Sequence, residues 1–118
     1  MSLNSENQNS LDAWSRIAIK YADQGFAIFD EDIKLVYFNE RFSELYRLPP
    51  ELVFMGASFE SLARYVAQRD YPATADAVTQ ERTRLAKNPS FRRNEQILDD
   101  GTVLDMRTIP LPEGGFVT

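Results

Sequence analysis

Runs with strand character sit at two places in this chain and leave everything between them to helix. The first, Phe26-Ala27-Ile28-Phe29, is followed by the turn Asp30-Glu31-Asp32 and by Leu35-Val36-Tyr37-Phe38. The second begins at Phe91, turns at Asp100-Gly101, returns through Val103–Ile109 and turns again at Pro110–Gly115 before Phe116-Val117-Thr118. Asp-Gly between alternating runs is a strong hairpin signal. An isolated hairpin is marginal in water, so the two groups of strands are expected to join. The resulting fold class is α+β, one antiparallel sheet with helices on a single face.

The intervening segment carries its own start and stop signals. Asn39 reads as the cap of a short helix through Tyr46, with Phe42, Leu45 and Tyr46 on one face. Pro49-Pro50 ends it and permits a turn over residues 51–54. Ser58 reads as the next cap, with Phe59, Leu62, Ala63 and Val66 inward. Pro72 and Thr74 introduce a helix over 75–87, whose sparse apolar content (Val78, Leu85, alanines) places it at the periphery. Upstream, residues 1–9 are rich in Asn and Ser and read as a disordered tail or linker remnant, so that residues 10–118 form the single domain. Ser10 then caps a helix ending near Gly25, with Leu11, Trp14, Ala18 and Tyr21 along one side.

Composition removes whole classes of chemistry. The 118 residues include no cysteine and no histidine. Disulfides, thiolate nucleophiles, the usual neutral-pH general base and the commonest metal ligand are therefore excluded. A net charge of −5 argues against a broad nucleic-acid footprint, which needs a basic face. No window approaches the roughly 18 apolar residues of a membrane span, and no signal region precedes the domain. A cytoplasmic module without membrane contact is expected.

In the second hairpin, centring the loop on Asp100-Gly101 sets Ile97 opposite Leu104, Glu95 opposite Met106 and Arg93 opposite Thr108. Phe91, Arg93, Glu95, Ile97, Leu104, Met106 and Thr108 then share the face with more contiguous apolar groups, expected to point to the helices. Arg93 and Glu95 are thereby turned inward, where charge needs a partner: each other, a helix backbone or the polar end of a ligand.

Gly25–Asp30 together with Leu35–Asn39 resembles the opening of a PAS sensor domain. The segment Leu48-Pro49-Pro50-Glu51-Leu52, followed by Gly56, is similar to one PAS subgroup. So are Leu62–Arg69 and the close from Asp100-Gly101 through Pro110–Val117. Asp70 departs from the subgroup, which often has Arg-Gly at that point. The resemblance spans roughly residues 11–118 and implies a five-stranded antiparallel sheet under helices. It implies a sensory role in bacterial signalling, including two-component systems, in proteins of the histidine kinase or diguanylate cyclase and phosphodiesterase type. PAS domains typically finish on an Asp-x-Thr element. This chain stops before it, so the last strand is expected to be truncated ahead of a missing output domain. PAS domains often dimerise through an N-terminal helix, which implies a homodimer with Leu11, Trp14, Ala18 and Tyr21 at the interface.

Within that resemblance, the missing Cys excludes a covalent flavin adduct and a thioester chromophore, and the missing His excludes the usual haem ligation. Haem held by Met55 or Met106 alone is disfavoured, and the cofactor is unassigned. A small-molecule pocket would lie between sheet and helices, with Phe38, Phe42, Tyr46, Tyr65, Arg93, Glu95 and Met106 as candidate lining, although such aromatics are core by default. The basic stretch Arg82, Arg84, Lys87, Arg92 and Arg93 reads as a solvated face, with reception of an anion or an acidic partner surface as the alternative. Asp99, Asp100 and Asp105 suggest paired catalytic acids, but the first two sit at a hairpin tip suited to turn chemistry. Three functions follow: a ligand or partner sensor, a ligand-free homodimerisation module, and, remotely, a small acid-dependent enzyme.

Overall fold

Asn39 shows how local chemistry starts the fold. Its Oδ1 accepts from the backbone N–H of Phe42 at 3.0 Å, capping helix α1 (Glu40–Tyr46), and from Phe26 N–H at 2.9 Å. Its Nδ2 donates to the Gln24 carbonyl. One side chain thus fixes both the helix start and the chain entering strand β1 (Ala27–Phe29), which pairs with β2 (Leu35–Phe38). The structure is a computed structural model and describes residues 23–118. The expected tail over 1–9 and the stripe Leu11, Trp14, Ala18 and Tyr21 lie outside the described residues.

A 3-10 turn at Pro50–Leu52 follows α1, and Ser58 Oγ accepts from Ser61 N–H at 3.1 Å to cap α2 (Phe59–Asp70). A second 3-10 turn, Pro72–Thr74, leads into α3 (Ala75–Lys87). Leu62, Ala63, Val66 and Ala67 of α2 are buried. Helix α3 is less peripheral than its composition suggests. It buries Thr79 and Ala86, and Thr79 Oγ1 satisfies itself by donating to the Ala75 carbonyl at 2.7 Å.

Strands β3 (Arg92–Ile97), β4 (Val103–Pro110) and β5 (Phe116–Val117) complete one antiparallel sheet in the order β2-β1-β5-β4-β3. The two groups of strands join at β5. Phe116 lies opposite both Phe29 and Pro110, and Val117 opposite both Ile28 and Ile109. Gly115 makes this close approach possible: its φ is +82°, and a Cβ there would fall 2.1 Å from the Phe29 carbonyl oxygen. Ala27, Phe29, Leu35 and Phe116 face the core with Phe42, Leu62 and Val66. Tyr37, Val103 and Ile109 face the other way and are exposed. Among the described residues the helices therefore cover one face, as the order of elements predicts.

The register of the β3–β4 hairpin corrects the sequence reading. Gln96, not Ile97, lies opposite Leu104, and Asn94, not Glu95, lies opposite Met106. Leu98 N–H donates to the Thr102 carbonyl at 2.8 Å, leaving a three-residue loop, Asp99-Asp100-Gly101, with Gly101 at φ +87°. Such a loop ends on a residue in the left-handed region, which glycine adopts without cost. A slip of one residue moves every side chain of a strand to the opposite face. Arg93, Glu95 and Ile97 consequently point away from the helices and are exposed, while Gln96 and Leu98 are buried.

Candidate functional site

Between the sheet and helices α2 and α3 lies a cavity of about 320 Å³, the lower end of the range for small-molecule sites. One wall is aromatic. Phe29 stacks on Phe116 with ring centroids 5.2 Å apart, and Phe59 meets both edge-on at 5.3 and 5.9 Å. These contacts weld α2 to the β1–β5 junction. Phe42, Tyr46, Leu62 and Val66 continue this wall.

The sheet wall turns polar toward its β3 edge, because the corrected register turns Arg92, Asn94 and Gln96 toward the helices beside Leu104, Met106 and Thr108. Arg82, from the third turn of α3, reaches into the same space. Its guanidinium stacks over the Tyr71 ring, 5.4 Å from the centroid. A guanidinium offers only donors, so the Gln96 amide sets its oxygen toward Arg82, at 3.2 Å from Nη1 and 3.3 Å from Nη2. Among the described residues no carboxylate lies within ion-pair distance of Arg82. Tyr46 borders the same space without a hydrogen-bond partner for its hydroxyl among the described residues. Burial pushes that hydroxyl's pKa up to about 12, against the opposing pull of the Arg82 charge. Tyr46 is therefore a neutral O–H at physiological pH.

The candidate lining residues divide. Phe42, Tyr46 and Met106 border the cavity. Arg93 and Glu95 border it along the backbone of β3, but their side chains lie on the outer face. There Arg93 Nη2 meets Asp105 Oδ2 at 3.0 Å and Nε meets Oδ1 at 3.2 Å, which leaves no inward charge pair. Phe38 borders a separate depression with Ser43, Leu48 and Val53. Tyr65 packs against the core with the Arg69 guanidinium over its ring. The sequence names Arg82 only within a basic stretch that reads as solvated or anion-receiving and does not place it in the cavity, and it assigns Gln96 to the face away from the helices.

The remaining chemistry is placed as follows. Asp99 and Asp100 are at the hairpin tip, within reach of Arg47. Asp100 is held below the usual carboxylate range by hydrogen bonds from Thr102, and Asp105 by the one from Arg93. Neither arrangement brings two carboxylates to the cavity. Arg84 pairs with Glu81, in keeping with a solvated face for that residue. Met55 is exposed and only Met106 reaches the cavity. No group of three or more metal-ligating side chains forms among the described residues, and no helix there is long and apolar enough to cross a membrane.

Comparison with known proteins agrees with this architecture. The family model described as "PAS fold" matches residues 19–118. The PAS domain of Bordetella pertussis BvgS is similar in structure, with a TM-score of 0.54 and 16% identity over 92% of this chain and 82% of that one. The PAS domain of an HTR-like protein from Haloarcula marismortui aligns over 90% of this chain and 93% of its own, with 17% identity and a TM-score of 0.44. No curated protein sequence matches significantly. With a five-stranded antiparallel sheet, helices on one face and a family match across most of its length, the chain belongs to the PAS fold family.

Proposed function

We propose that this chain is a sensory module that binds a small molecule in the cavity between sheet and helices and relays its occupancy to an attached output domain. The observation that carries this reading is the polar wall. A strand that turns Arg92, Asn94 and Gln96 to the helical side, with Gln96 buried and Arg92 half-buried, does not pack as apolar core, and a buried polar group needs partners. A ligand biases output only through its difference in affinity between two states of the module. The β3–β4 hairpin, joined to β5 and to the helices' ends, is positioned to move between such states. The subgroup resemblance supports a place within a bacterial histidine kinase or a diguanylate cyclase or phosphodiesterase, with the output domain supplying the catalysis, and a cytoplasmic location is part of this proposal.

Native mass spectrometry of the purified 118-residue chain tests this reading. Extra mass of a small molecule, lost on denaturation, is the expected result. An unliganded chain that also takes up nothing from a metabolite extract would overturn it.

A second reading, a ligand-free homodimerisation module, draws on the outer sheet face. Tyr37, Ile28, Val117 and Ile109 lie in one row across four strands, and Tyr37 and Ile109 are exposed. Dimerisation through the stripe Leu11, Trp14, Ala18 and Tyr21 belongs to this reading and is compatible with the first. Light scattering at micromolar concentration distinguishes a dimer from a monomer.

A further inference from the structure

Arg82 and Gln96 meet at the cavity, and Tyr46 borders it. We infer that the ligand is a small monocarboxylate with an apolar body, whose carboxylate is received by Arg82 beside Gln96 and the Tyr46 hydroxyl. This rests on the small-molecule reading above and specifies its chemistry.

Three observations carry it. First, Arg82 is half-buried and brings a permanent positive charge to the cavity, with Tyr71 beneath it, the Gln96 oxygen at 3.2 Å and, among the described residues, no carboxylate within ion-pair distance. A partly buried cation without a counter-charge favours an anion in the space it faces. Second, the groups left over are donors. With the Gln96 oxygen committed to Arg82, its NH2 remains free, and Tyr46 offers an O–H without a partner of its own. A fork of N–H groups flanked by further donors matches the two oxygens of a carboxylate.

Third, size and polarity limit the rest of the ligand. About 320 Å³ holds roughly ten waters at liquid density, hence a molecule of about ten non-hydrogen atoms. The space beyond Arg82 is bounded by Phe29, Phe59, Phe116 and Val66, which suit a hydrocarbon chain or ring.

The test uses two pairs of probes matched in shape, octanoate with octanamide and 3-phenylpropanoate with 3-phenylpropanamide, titrated calorimetrically into the full chain. At least one carboxylate is expected to bind about tenfold or more tighter than its amide, the scale of one charge-assisted hydrogen bond. Arg82→Gln should erase that preference and leave amide binding within about twofold. Arg82→Lys, which keeps the charge without the fork, should retain part of it and serves if Arg82→Gln fails to fold. An amide that binds the wild type as tightly as its acid would overturn carboxylate recognition and leave a ligand-binding cavity standing. Failure of all four probes, together with no added mass in the native spectrum, would overturn both readings.

Discussion

The carboxylate of Asp70, whose side chain is fully buried, accepts the backbone N–H of Asp99 at 3.2 Å. This single bond ties the C-terminal end of α2 to the loop of the β3–β4 hairpin. Arg69 reinforces it: its Nε sits 2.8 Å from Asp70 Oδ1, and its Nη1 donates to the Tyr46 carbonyl at the end of α1. Arg47, in the left-handed conformation just past α1, pairs with Asp99 from the other side. Two helix ends and one hairpin tip meet here, on the hairpin whose β3 strand forms the polar wall of the cavity.

Asp70→Ala should therefore destabilise the fold by about 3 kcal/mol, because it leaves the Arg69 charge largely buried without its counter-ion and orphans Asp99 N–H. Urea denaturation measures this directly. A loss below about 0.5 kcal/mol would show that the joint is not structural. Asp99→Ala removes only an exposed ion pair and keeps the backbone bond, so its effect should stay within about 1 kcal/mol.

Two glycines with similar backbone angles should behave differently. Gly101 and Gly115 both have φ above +80°. At Gly101 a Cβ meets nothing, so Gly101→Ala should cost only the conformational strain of about 1–2 kcal/mol. At Gly115 the same Cβ strikes the Phe29 carbonyl. Gly115→Ala should cost at least about 4 kcal/mol and disrupt the β1–β5 pairing. Thermal or urea denaturation of both variants provides the comparison, and equal losses would contradict the packing at β5.

The chain contains five tyrosines. In an alkaline absorbance titration, one of them should ionise near pH 12, held there by burial. Tyr46→Phe should remove that step. The same variant should change stability by less than about 1 kcal/mol, since the lost hydroxyl has no partner among the described residues.

Stability should fall in acid and change little near neutrality. Asp100 and Asp105 are held below their ordinary values, by Thr102 and by Arg93 respectively. For a carboxyl lowered in the folded state, the stabilisation is complete above the unfolded value of about 3.9 and is lost as pH falls through the folded one. Without histidine or cysteine, no side chain of ordinary pKa titrates between pH 5 and 8. Denaturation midpoints across pH 2–9 should be flat from about 5 to 8 and drop below about 4. A step near pH 6 would reveal a perturbed group that this structure does not account for.

Local chemistry in the sequence determined most of the elements. Asn39 and Ser58 cap their helices, Pro49-Pro50 redirects the chain, and the strand runs pair as hairpins, because caps and turns act over a few residues and need no distant partner. The joining of the two groups of strands also followed from their order. The face of β3 did not, because the apolar pattern pointed Arg93, Glu95 and Ile97 inward while a three-residue loop set the register one step over. The rule that apolar residues face the core failed on the strand whose inner side carries Arg92, Asn94 and Gln96. Arg82 entered the cavity for a related reason: only the packing of α3 over the sheet brings it to Gln96 and Tyr71, residues 14 and 11 positions away in the chain. Short-range hydrogen bonding settled where helices and strands begin and end. Which polar side chains face the cavity was settled by strand register and helix docking, which depend on the whole domain closing at once.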